Sequence, residues 1–97
     1  MIRKDLKNFD EVAYFLKSER LTLYTSVVNG VKECLENDID ELLLAEFNLL
    51  DENIVFKIDM VKKDWVDSLS LALAFFEETE EYEKCVEIKD LITQLDE

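Results

Sequence analysis

The apolar period of this chain changes at residue 42, and that change restricts the fold more than any other feature. Over residues 8–37 and 62–97 the apolar side chains recur at three- and four-residue steps, the mark of helices with one buried face. Between them the period is two. Leu43, Ala45, Phe47 and Leu49 alternate with Leu42, Leu44, Glu46 and Asn48. After Asp51-Glu52-Asn53, the residues Ile54, Phe56, Ile58 and Met60 alternate with Val55, Lys57 and Asp59. This predicts a two-stranded antiparallel β-hairpin over 42–61, apolar on one face, with Glu46 and Lys57 paired on the other. The expected class is therefore α+β: two N-terminal helices, the hairpin, then a C-terminal antiparallel helix pair.

That helix pair is the most strongly patterned region. Its first arm places Trp65, Leu69, Ala72, Leu73 and Phe76 on one face, with Val66, Leu71 and Phe75 beside it. Asp64 suits the N-cap and Asp67 the first turn, near the positive end of the helix dipole. In the second arm Tyr82, Cys85, Ile88, Leu91, Ile92 and Leu95 repeat the spacing, and Thr79 is the expected cap. Neither arm contains Pro or Gly, and a short link between amphipathic helices makes them antiparallel neighbours.

Residues 1–7 read as a loosely ordered start. Asn8 caps a short helix, with Glu11 three residues on as a capping box, and Phe9, Val12, Ala13, Phe15 and Leu16 as its apolar side. Ser18 to Arg20 break it. Residues 21–36 admit two readings. Leu21, Tyr24, Val28, Val31 and Leu35 fit a helix, whereas Asn29-Gly30 between valines is a hairpin signal. The helix is favoured, because Lys32, Glu33 and Glu36 would spoil a second strand. Gly30, the only glycine, then costs about 1 kcal/mol relative to Ala and marks close contact with a neighbouring backbone. Asn37 to Glu41 form a turn.

The run Tyr82-Glu83-Lys84-Cys85-Val86-Glu87-Ile88-Lys89-Asp90-Leu91-Ile92 is similar to the UVR motif, with Leu73 and Phe76 where that motif has apolar residues in its first helix. The resemblance covers about a quarter of the chain and departs where the usual paired alanines become Cys85 and Val86. It implies a helical hairpin that mediates protein–protein contact, as in excision-repair subunits and protease-associated adaptors. The hairpin also resembles a single tetratricopeptide unit. In its short, lysine- and glutamate-rich style the chain is similar to accessory proteins of tailed phages.

Ninety-seven residues make one domain, 48% hydrophobic. A domain this small buries only about 60–65% of its unfolded surface, so association would help it. Its net charge of −13 is unevenly spread: residues 1–20 are net +1 and residues 21–97 net −14. Such a chain is repelled by nucleic acid and anionic membranes, and a protein with a basic surface is its natural complement. No run of 18 apolar residues could span a bilayer, and the N-terminus lacks a signal-peptide apolar core. Cys34 and Cys85, isolated and expected in the core, suit a reducing cytoplasm.

Chemistry is sparse. Without His the usual general base and commonest metal ligand are missing, and one Gly leaves no phosphate-cradling loop. The stretch from Asp51 to Lys62 lacks the calcium-loop pattern, having Phe56 at its sixth position and Lys62 at its twelfth. The expectation is a non-enzymatic module with no catalytic residues, cofactor or metal, regulating or inhibiting a basic protein partner. Glu77, Glu78, Glu80, Glu81 and Glu83 form the sharpest surface feature, read either as a docking site for Arg and Lys or as a solvated turn. Trp65 reads either as an interface anchor or as core. The alternatives are a polyanion mimic that occupies a nucleic-acid channel, and a structural homo-oligomer. A lone hairpin is marginal in water, so its free edges suggest a homodimer, and Leu42 and Leu44 on the solvent face ask for extra cover.

Overall fold

The computed structural model describes residues 1–96. Its elements are β1 (Ile2–Leu6), α1 (Phe9–Ser18), α2 (Arg20–Glu36), β2 (Glu41–Leu49), β3 (Ile54–Val61), α3 (Trp65–Glu78) and α4 (Tyr82–Leu95), with a short 3-10 turn at Lys62–Asp64. The class is α+β, but the sheet has three strands in the order β1-β2-β3, not two. β2 and β3 are the antiparallel hairpin, in a register that sets Glu46 opposite Lys57. β1 pairs parallel to β2, from Ile2 opposite Ala45 to Leu6 opposite Leu49.

The added strand corrects the expectation of a loose start at residues 1–7. Ile2 and Leu6 point into the core, where Ile2 is buried with Val12, Phe15, Ala45, Phe47 and Leu49. Between them stand Arg3, Lys4 and Asp5, so the segment has too few apolar residues to show a strand period. Its pairing partner lies some forty residues away across two helices. Parallel strands always need such a crossover, and no local pattern announces it.

A bulge corrects the second expectation. Leu43 pairs with Asp59 and Ala45 with Ile58, so Leu44 is an extra residue on β2. The insertion shifts the alternation by one, and Leu42, Leu44, Ala45, Phe47 and Leu49 are all buried. The leucines that seemed to face solvent thus need no outside cover. The hairpin closes through Leu50 to Asn53, with Asn53 at φ 53°, a left-handed conformation that Asn tolerates.

Residues 21–36 are helical, and Arg20–Glu36 is one element. Gly30 meets the side chain of Leu42 and not a backbone: a Cβ there would lie 2.6 Å from Leu42 Cδ1. The sheet is covered on one face. Val12 and Phe15 of α1 lie over Phe47 and Leu49, and α2 lies against the Leu42–Leu44 half. α3 and α4 pack chiefly on α2 and on each other, and the start of α3 meets the hairpin at Met60, where Trp65 and Ser68 touch it. Trp65, Leu69, Ala72 and Phe76 of α3 join Val28, Val31, Cys85, Ile88 and Leu91 in the larger core cluster. Fully burying a Leu or Ile contributes about 1.5–3 kcal/mol, and this cluster holds most of the buried apolar side chains of the fold.

The helix ends differ in detail from expectation. Asn8 does cap α1, its Oδ1 accepting from Glu11 N–H at 3.1 Å. The reciprocal bond runs one residue earlier than in a capping box, from Lys7 N–H to Glu11 Oε1 at 2.6 Å. Asp64 makes no capping bond, because the 3-10 turn already feeds α3. Thr79 caps backwards, its hydroxyl donating to Phe75 O at 3.2 Å, and α4 starts only at Tyr82 without a side-chain cap.

Candidate interaction surface

The α3–α4 turn gathers the five predicted carboxylates at one end of the helix pair. Glu77 and Glu78 are in the last turn of α3, Glu80 and Glu81 in the link, and Glu83 in the first turn of α4. All five are exposed, and none forms an ion pair among the described residues. The three ion pairs there are Lys32–Glu87, Lys84–Glu87 and Lys62–Asp40.

The turn is a Schellman-type helix end. Glu81 N–H donates to Phe76 O at 2.9 Å, and Glu80 N–H to Glu77 O at 3.2 Å. That geometry puts Glu80 at φ 60°, a position where glycine is usual because a Cβ there is strained. Glu77 and Glu78 sit at the negative end of the α3 dipole, where a carboxylate costs about 0.3–1 kcal/mol, and the last turn has no basic residue to offset them. Only Glu83 and Glu81, at the start of α4, lie where the dipole favours them.

Trp65 is not part of this surface. It is fully buried at the opposite end of α3, and its indole N–H donates to Met60 O at 3.0 Å. Twelve residues of helix, about 18 Å, separate it from Glu77. Of its two readings, the structure gives the core one. The residue at the acidic end that the sequence placed wrongly is Tyr82, expected on the buried stripe of α4 but 66% exposed. The stripe is set by Cys85, Ile88 and Leu91. Tyr82 lies beyond its edge, three residues before Cys85, and shares the outward face with Val86, 61% exposed. Three- and four-residue spacing alone fits both faces at a helix end, so only packing distinguishes them. On the flank of the turn Phe75 packs against Tyr24, and Arg20 stacks over the Phe75 ring with its guanidinium carbon 5.1 Å from the centroid.

Elsewhere the surface offers little chemistry. A shallow depression of about 340 Å³ on the uncovered sheet face is lined by Arg3, Asp5, Glu46 and Asn48 among others. No polar or charged side chain is buried, and no three acidic or cysteine side chains are grouped to hold a metal, among the described residues. Cys34 and Cys85 are buried free thiols. Burial, with the nearby Glu33 charge adding, pushes the Cys34 thiol above its ordinary range. No described helix is long and apolar enough to cross a membrane. No family model matches the chain, and no curated protein or solved structure matches it significantly.

Proposed function

We propose that the chain is a non-enzymatic interaction module that docks the α3–α4 turn onto a basic surface of a protein partner and so regulates or inhibits it. The observation that carries this reading is the placement of Glu77, Glu78 and Glu80. A turn built only for stability and solubility would put glycine at the left-handed position and a basic residue in the last turn of α3. This chain puts carboxylates at all three sites, each at a cost to its own folding. Residues that cost stability and gain no internal partner are characteristic of functional surfaces. The exposed aromatic ring of Tyr82 beside them supports the same reading, since aromatic anchors ringed by polar groups dominate protein interfaces. The negative field would raise the rate of encounter, and Tyr82 would supply buried contact. The resemblance of this hairpin to UVR motifs points to the same kind of role.

The test is capture of basic proteins by immobilised wild-type chain and by a variant with Glu77, Glu78, Glu80 and Glu81 changed to Gln. Captured proteins should be lost in the variant and should be released as salt rises. Equal capture by both chains refutes the docking site. A competing oligonucleotide that displaces the partner would recast the turn as a polyanion mimic.

A further inference from the structure

We propose that two copies of this chain pair antiparallel along their β3 edges, with Ile58 on the two-fold axis. This stands on observations separate from the acidic turn. β3 is an edge strand of eight residues, Ile54–Val61, with no proline and no extra residue of its own, since the bulge lies on β2. Monomeric proteins blunt such edges with charge, proline, bulges or short length, because an open row of N–H and C=O groups invites another strand. Of these β3 has only the charges Lys57 and Asp59, which are of opposite sign and can offset each other in a pair. The other edge, β1, is five residues long and carries Arg3, Lys4 and Asp5 in its centre; paired with itself about that centre, it would set Lys4 against Lys4.

Among the three registers centred on residues 57, 58 and 59, the charges of β3 favour one. In a symmetric antiparallel pair the hydrogen-bond alternation requires the axis to pass through a residue. An axis at residue 57 sets Lys57 against itself, and an axis at residue 59 sets Asp59 against itself. Like charges directly opposite are destabilising. An axis at Ile58 instead sets Lys57 opposite Asp59 of the second copy, twice over. The same register places Val55 opposite Val61 on the open face and Phe56 opposite Met60 on the helix face. Val55 and Val61 are 52% and 42% exposed, and in this pairing each covers the other. Phe56 carries Phe9 edge-on at 5.2 Å, so the half-exposed Phe9 ring would gain a neighbour as well. The product is one six-stranded sheet with all helices on one side.

Sedimentation of the full chain at micromolar concentration and about 0.15 M salt should show a species of twice the 11.4 kDa chain mass. Asp59→Lys sets Lys57 against a lysine and should weaken the dimer by about tenfold or more. Lys57→Asp should do the same, and the exchange of both should restore most of the affinity. Lys57 also faces Glu46 within its own chain. The double variant shares that change with Lys57→Asp, so comparing those two isolates the contact across the axis. Far-UV circular dichroism checks that each variant is folded. A wild-type monomer at all concentrations, a dimer indifferent to the single changes, or a double variant no tighter than the singles would each overturn the proposal.

Discussion

Glu80→Gly should make this protein more stable. Glu80 adopts φ 60° in the link after α3. A residue with a Cβ in that region costs about 1–2 kcal/mol relative to the right-handed form. Glycine escapes this cost but loses about 0.4–1 kcal/mol through its greater freedom in the unfolded chain. The difference of the central values leaves a net gain of about 0.8 kcal/mol, or roughly 3–6 °C in Tm for a domain of this size. Glu80→Ala is the control, because it removes the same charge and keeps the Cβ. The two backbone bonds that fix the turn, to Phe76 O and Glu77 O, survive both changes. Urea unfolding followed by the fluorescence of Trp65, the only tryptophan and fully buried, reads the midpoint directly. Both variants should give the wild-type slope, with the Gly midpoint above the Ala midpoint. A Gly variant no more stable than the Ala variant would refute the assignment of strain at this turn. Under the proposed function the same change should cost affinity for the basic partner, separating stability from binding at one residue.

Trp65→Phe should cost about 1–3 kcal/mol beyond its loss of area, because it leaves the Met60 carbonyl without its donor, and equilibrium unfolding measures this. Gly30→Ala and Leu42→Ala should be non-additive by about 0.5 kcal/mol or more, since an added Cβ meets Leu42 Cδ1 at 2.6 Å; additivity in a double-mutant cycle would place Leu42 elsewhere. Ile2→Ala should destabilise by about 2–4 kcal/mol if β1 is an integral strand, whereas a loosely held terminus would give almost no change. Cys34 should be alkylated slowly in native buffer and quickly in urea. Its folded pKa is raised, so its contribution to stability is full below the unfolded thiol pKa and is lost as pH rises through the folded one. Unfolding free energy measured through the alkaline range should therefore fall, and Cys34→Ala should lessen that fall.

The elements that the sequence defined were those with local causes. The helix spacing of residues 65–78 and 82–95, the change of period at the hairpin, the cap at Asn8 and the Glu46–Lys57 register are all set by neighbours in the chain or by a short turn. The acidic run was equally plain, since charge is read directly from composition.

What tertiary structure decided were the choices between faces and between distant partners. β1 exists because β2 offers it an edge, and nothing within residues 2–6 records that offer. The bulge at Leu44 turned two leucines inward, which a strict alternation rule places outside. Trp65 went to the core and Tyr82 to the surface, although both carry the same helical spacing, because α2 covers one side of the helix pair and leaves the other open. Spacing fixes which residues share a face. Only the packing of elements far apart in the chain fixes which face is buried, because the free energy of burial belongs to the contact and not to the segment.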